Sequence, residues 1–137
     1  MTALEIVKSY YSSFNDKNWD GMLALVHPDV RHEPNQGDAR IGLEKFSEFL
    51  GKMDESYEET LTDMVFFTTP DDSRVAVEFV VNGIYKKSEE GMPAAYGQPY
   101  KLPAAAFLGI QDGKISRVTT FYNLPLWIDL VSEQKND

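Results

Sequence analysis

Apolar residues along the chain recur first at helical and then at strand spacing. Leu4, Val7, Tyr11 and Phe14 share one face at a period near 3.6, which predicts an amphipathic helix over residues 3–15. Asn15, Asp16 and Lys17 end it. Asn18 is placed to cap a second helix running to Val26, with Trp19, Met22, Leu23 and Val26 inward. His27-Pro28-Asp29 stops that helix, because a residue before proline avoids the helical region. Val30 to Glu33 predicts a short strand, Asn35 to Asp38 a turn, and Leu43, Phe46, Leu50 and Met53 a third helix.

Alternation takes over beyond residue 56. Tyr57 to Thr69 predicts the first long strand, and Pro70-Asp71-Asp72-Ser73 the turn after it. From Arg74 to Lys86, Val75, Val77, Phe79 and Val81 alternate with Ala76, Glu78, Val80 and Asn82. The first set is all apolar, and Glu78 falls on the opposite, outward face. A stretch rich in Gly, Pro and Glu covers residues 87–98, and a loop of that length in a compact domain is often functional. Tyr100 to Gln111 and Lys114 to Tyr122 form two more strands, joined at the hairpin turn Asp112-Gly113. Leu124 to Val131 predicts a short closing helix. Helices come first and antiparallel strands follow, with no repeat or linker between them. That segregation predicts an α+β fold, one domain over residues 1–137, with helices on one face of a curved antiparallel sheet.

Composition narrows the chemistry. The chain has 137 residues, enough for one hydrophobic core. It has no cysteine, which removes disulfides, thiolate catalysis and Cys-based metal sites. His27 and His32 are its two histidines, so a multi-histidine metal site is not expected. No cofactor is implied. A net charge of −9 argues against nucleic acid as partner, since phosphate binding needs clustered Lys and Arg. MTALEIVKSYY lacks the basic segment and apolar run of a secretory signal. No apolar stretch approaches the roughly 18–20 residues of a membrane span. The expectation is a cytoplasmic protein without membrane contact. Eight Phe, seven Tyr and two Trp supply large side chains of the kind that often line pockets.

Three stretches carry a resemblance. They are NDKNWDGMLALVHPDVRHEPNQG from Asn15 to Gly37, LPAAAFLGIQDGKISRVTTFYNL from Leu102 to Leu124, and the closing PLWIDLV. With the order helix, helix, short strand, helix and long meander, the chain resembles the nuclear transport factor 2-like (SnoaL-like) superfamily over nearly its whole length. The HEPNQG element and the FYNLPLWI ending are similar to the ketosteroid isomerase-related proteins. The resemblance implies a sheet wrapped around the N-terminal helices and a cone-shaped pocket for a small apolar molecule. It also implies a homodimer, here through the sheet face bearing apolar residues from 75–81 and 104–119.

In ketosteroid isomerases a carboxylate on the short strand moves a substrate proton. A Tyr on the first helix and a protonated Asp on a later strand hold the enolate oxygen. Counted back from Gly42, the carboxylate falls on Glu33; counted forward from Pro28-Asp29, it falls one residue later, on Pro34. A carboxylate in a mostly apolar cavity has a raised pKa and is a better base near neutral pH. The competing role for Glu33 is a solvated partner of Arg31 or Arg40. His32 faces the other way by strand alternation, so if His32 points inward it becomes the candidate base. Tyr10 matches the oxygen-holding Tyr, and is otherwise a core or rim aromatic. The second oxygen donor falls near Ala106, where Leu102 to Phe107 holds no acid; Glu78 or Asn82 are the substitutes. SnoaL-like cyclases carry an acid–base residue near the C-terminal strand, where this chain has Tyr122-Asn123. Phe14, Trp19, Asn35, Phe67, Tyr96, Tyr100, Phe107, Tyr122 and Asn123 are the candidates to line or lid the pocket.

Two functions follow from different classes. One is an enzyme that moves a proton next to a carbonyl, in an isomerisation, cyclisation or lyase step on a small apolar substrate. The other is a non-catalytic module for ligand binding or dimerisation, since one fold hosts many chemistries.

Overall fold

The computed structural model describes residues 1–133; residues 134–137 of the expected domain lie outside the described residues. Helix α1 (Ala3–Asn15) starts at a capping box in which Thr2 and Glu5 satisfy each other's amides. Asp72, from a later turn, accepts the Ala3 amide at 3.1 and 3.2 Å. At the other end, Asn15 donates to the Leu61 carbonyl at 3.0 Å and accepts the Leu61 amide at 2.8 Å. Both ends of α1 are thereby fixed to the sheet.

Helix α2 (Trp19–Leu23) is capped by Asn18 as expected but ends three residues early. Val26, expected in that helix, instead opens β1 (Val26–Glu33). Strand pairing is interrupted between Val26 and Arg31, where Pro28 has no amide to donate. Two residues of β2 (Arg40–Ile41) pair with β1, a strand the pattern did not predict. Gly42 turns the chain at φ 104°, a conformation suited to glycine, and leads into α3 (Leu43–Ser56). The long strands are β3 (Tyr57–Thr68), β4 (Arg74–Tyr85), β5 (Gln98–Gln111) and β6 (Lys114–Tyr122), followed by α4 (Leu124–Glu133).

One six-stranded sheet results, in the order β2-β1-β6-β5-β4-β3. All neighbours are antiparallel except β1 and β6. The expected α+β class with N-terminal helices against a curved sheet is the observed one. Val75, Val77, Phe79 and Val81 face inward and are buried, and Glu78 is exposed on the outer face, as alternation predicts. The helices cover the inner face: Ile6, Val7 and Tyr10 of α1 and Phe46 and Leu50 of α3 join the same core.

Strand β3 departs from simple alternation. Thr62 pairs with Val80 but Val65 pairs with Glu78, so β3 holds one residue more than β4 over this interval. Asp63 sits in this bulge at φ 54°. The extra residue reverses which side chains face in. Before it, Glu59 and Leu61 lie opposite Gly83 and Val81; after it, Phe66 lies opposite Val77 while Val65 and Phe67 face outward.

A second feature spans three strands. Glu59 pairs with Gly83, and Gly83 with Tyr100. A Cβ on Gly83 would lie 2.2 to 2.5 Å from Tyr100 Cζ, hydroxyl oxygen and Cε2. The missing side chain lets the Tyr100 ring lie across β4 and reach Glu59 on β3. Trp127 of α4 packs edge-on against the Tyr100 ring, centroids 5.9 Å apart, and against Tyr85 at 5.0 Å.

Residues 86–97, between β4 and β5, form a strap. The Tyr85 hydroxyl donates to the Pro93 carbonyl at 2.7 Å and accepts the Glu89 amide at 3.0 Å. Buried Gln98 donates to the Ala94 and Val131 carbonyls and so ties the strap to α4.

Candidate active site

Helices α1, α3 and α4, the strap and the inner face of the sheet enclose a cavity of about 570 Å³. Its walls are mainly aromatic and aliphatic, with a few polar groups. Such a volume suits a small organic molecule.

His32 reaches into this cavity from β1 and is 3% exposed. Its ring packs edge-on against Phe46 and Phe49, with centroids 5.0 and 4.4 Å away. The Nδ1 atom is sealed off with no hydrogen-bond partner among the described residues. Burial, reinforced by the nearby Arg40 charge, holds the imidazole pKa down to about 4. The ring is therefore neutral at pH 7 and a poor base.

Glu33 lies outside the cavity, and its expected role as the base is corrected on that ground. Strand alternation turns it to the outer face. There the Thr119 hydroxyl donates to its carboxylate at 2.7 Å, and Arg31 and Arg117 each approach within 3.4 Å. The Thr119 hydrogen bond, helped by the two guanidiniums, holds its pKa below the ordinary carboxylate value. Pro34, from the alternative register, does line the cavity but carries no acid.

Tyr10 lines the cavity beside Tyr11, and the two rings meet edge-on at 4.9 Å. Both are about 5% exposed or less, and burial raises both phenol pKa values above the usual range. Neither hydroxyl has a protein hydrogen-bond partner among the described residues.

The family model for the SnoaL-like domain matches residues 7–118. The chain belongs to the SnoaL-like family. A candidate polyketide cyclase from Pseudomonas putida shares 46% identity, covering 96% of this chain and 98% of its own, at a TM-score of 0.94. Another from a Silicibacter species shares 48% identity, with 95% of each chain covered and a TM-score of 0.92. A nuclear transport factor 2-like protein from Burkholderia pseudomallei is 17% identical, covers 95% of this chain and 97% of its own, and has a TM-score of 0.80. That likeness shows the shared fold. No match was found among the curated proteins.

Within this SnoaL-like domain, sequence reasoning took Tyr11 only as a helix-face aromatic and missed Glu59. Glu59 lines the cavity from β3, and the Tyr100 hydroxyl donates to its Oε2. The Lys17 ammonium donates to the Glu59 backbone carbonyl. Part of the Glu59 surface remains open to the cavity, yet the protein packed around it makes charge costly. Burial pushes the carboxyl pKa up, while Tyr100 and Lys17 pull the other way. Gly83 in mid-strand was the available signal, because an isolated strand glycine marks a bulge or a close approach.

Of the other expected lining residues, Phe14, Asn35, Tyr100 and Tyr122 are in place. The Asn35 side chain accepts the Tyr122 amide at 3.1 Å, which ties the β1–β2 loop to β6. Trp19 instead lines a small crevice next to Lys17 and Glu59, with its ring against Phe14. Phe67 is 55% exposed, because the bulge at Asp63 turns it outward. Phe107 is 43% exposed, because its neighbours Ala106 and Leu108 take the inward positions. Tyr96 lies on the strap's outer side, half exposed, with its hydroxyl 3.4 Å from the Val131 carbonyl. Asn123 accepts the Leu126 amide at 3.1 Å near the start of α4 and does not line the cavity. The proposed substitutes Glu78 and Asn82 also lie outside it, Asn82 bonding to Thr62.

Among the described residues, no cluster of three or more His, Cys, Asp or Glu side chains is placed to hold a metal ion. No helix among them is long and apolar enough to cross a membrane.

Proposed function

We propose that the chain catalyses proton transfer next to a carbonyl, in an isomerase- or cyclase-type step on a small neutral ketone. The observation that carries this is a set of polar groups at the cavity with no hydrogen-bond partner among the described residues. Tyr10, Tyr11 and His32 come from two elements and line one mainly apolar cavity. An unmet donor at such a site costs roughly 1–3 kcal/mol, so a ligand oxygen that accepts from the phenol O–H groups or the imidazole N–H binds favourably. Leaving Nδ1 of His32 without a proton is the cheaper state, since orphaned N–H groups are rarer than under-satisfied acceptors. Nε2–H then serves as a donor. Together with the Tyr10 hydroxyl it stabilises negative charge that develops on the oxygen as the proton leaves. The relatives described as candidate polyketide cyclases support a substrate rich in carbonyl groups.

The test is exchange of the α-protons of 2-tetralone in D2O, followed by proton NMR. Wild-type protein is expected to accelerate exchange over buffer. Tyr10→Phe is expected to lower the rate about 10²–10³-fold, the usual effect of removing one oxyanion donor. Binding without exchange, measured by calorimetry, supports the non-catalytic ligand module instead. One observation favours that second reading: the β5 stretch Ala104 to Ala106 carries no acid.

We also propose a homodimer. The expected face needs revision, since Val75, Val77, Phe79 and Val81 are interior. From the outer face Val65, Phe67, Phe107 and Phe121 project, each 43% exposed or more. Phe67 and Phe107 flank Ala76, and the Phe107 and Phe121 rings meet at 5.9 Å. An outer sheet face with this many exposed apolar side chains, and with Glu78 set among them, suits a second copy.

A further inference from the structure

Proton transfer next to a carbonyl needs a base as well as donors for the oxygen. Glu33 lies outside the cavity, and His32 is a neutral ring suited to donating. The acidic side chains at the cavity are Glu55, Glu59, Glu89 and Glu90. Glu55 is exposed and within 3.7 Å of Lys87, and Glu90 is exposed. Glu59 differs from these in its setting. It projects from the inward face of β3, and a buried phenol binds one of its two oxygens.

We propose that Glu59 is the base that carries the proton in this cavity, held in place by Tyr100 reaching across Gly83. The assignment rests on the proton-transfer reading above. Three observations converge on it. The Tyr100 hydroxyl donates to Oε2, while Oε1 has no protein partner among the described residues and is free to meet a C–H proton. The row Glu59–Gly83–Tyr100 is open only because its middle residue lacks a side chain. The sheet order places β3 at one end and β1 next to the other, so Glu59 and His32 project into the cavity from far-apart strands of the wrapped sheet.

The step balances without a co-reactant. Glu59 Oε1 takes the proton from the carbon next to the carbonyl. The electron pair of that C–H bond forms a C=C bond, and the carbonyl π pair moves to oxygen, where Tyr10 and His32 donate hydrogen bonds. The protonated carboxyl then returns the proton to the same or a different carbon. Tyr100 is a positioning residue: it acts by fixing the carboxylate.

The titratable and charged groups around the carboxyl come from several elements. Lys17 approaches from the turn after α1, and Asp54 at the end of α3 and Tyr57 of β3 share a small crevice with it. Tyr100 and Tyr122 approach from β5 and β6, and Glu89 of the strap acts on Tyr57 and Tyr122.

The experiment uses the full chain and the 2-tetralone exchange assay across pH. Glu59→Gln is expected to lose about 10²–10⁴-fold in exchange rate while still binding 2-tetralone, the usual range for a general base. Tyr100→Phe keeps the carboxylate but removes a hydrogen bond to its charged form, so the rising limb of the pH profile moves to higher pH. Gly83→Ala displaces the Tyr100 ring and is expected to reproduce that shift. Exchange that survives Glu59→Gln, or a pH profile unmoved in Tyr100→Phe, overturns the assignment and leaves the functional reading standing. No acceleration by the wild-type protein overturns both.

Discussion

His32 and Glu33 are consecutive residues on opposite faces of β1. The imidazole is 3% exposed inside the cavity, and the carboxylate lies outside between Arg31 and Arg117. Strand alternation forces this division, and burial then gives the two groups different chemistry. The apolar interior keeps the imidazole neutral, whereas the outer face keeps the carboxylate charged.

The neutral state of His32 links stability to pH. The imidazole pKa falls from 6.5 to about 4 on folding, so the unfolded chain binds the proton first. The His32 contribution is therefore complete above about pH 6.5 and is lost as pH falls towards 4. His32→Phe removes this term. In urea unfolding at pH 7 and pH 4.5, wild type is expected to lose up to roughly 3 kcal/mol more than the variant. Parallel losses contradict a buried neutral imidazole.

Glu33→Gln tests the outer face. Its carboxyl pKa is lowered by folding, so its contribution is present above the ordinary carboxylate value and lost as pH falls through the lowered one. A partly exposed ion pair is screened, so the expected cost at pH 7 is about 1 kcal/mol or less. Exchange of 2-tetralone should be unchanged, in contrast to Glu59→Gln. A large loss of exchange in Glu33→Gln restores Glu33 as the base.

Pairing of two copies is tested by Phe107→Glu. A charge there meets the exposed Phe121 and Phe67 of the outer face and cannot be buried against a second sheet. Wild type is expected to sediment as a dimer at micromolar concentration and the variant as a monomer. A monomeric wild type contradicts the proposal.

Tyr85 holds the strap through its hydroxyl, which bonds both the Pro93 carbonyl and the Glu89 amide. Tyr85→Phe is expected to speed hydrogen exchange of the Glu89 amide severalfold with the rest of β4 unaffected. It should cost about 1–3 kcal/mol, because the amide loses its acceptor. Unchanged protection at Glu89 shows that the strap is held by other contacts.

Much of the fold was legible because its signals are local. The spacing of Leu4, Val7, Tyr11 and Phe14 marks α1, Asp112-Gly113 closes a hairpin, and alternation from Val75 to Val81 fixes one face. Phe67 was misplaced because the bulge at Asp63 shifts the phase of β3, and nothing in Tyr57 to Thr69 announces the extra residue. Phe107 could have been placed by parity with Tyr100 and Leu102, which share the inward face with Ala106. The end of α2 went wrong because tertiary pairing with β6 draws Val26 into the sheet. Glu59 escaped notice because its surroundings are built from residues 24 and 41 positions away, Gly83 and Tyr100. That juxtaposition exists only once the sheet forms.

Neutral, unpartnered donors facing a ligand oxygen would show themselves first in the ¹⁵N NMR titration of His32, with and without 2-tetralone. The imidazole is expected to stay neutral down to about pH 4 and to shift its Nε2 resonance when the ketone binds. An imidazole that titrates near 6.5 and ignores the ketone contradicts the account.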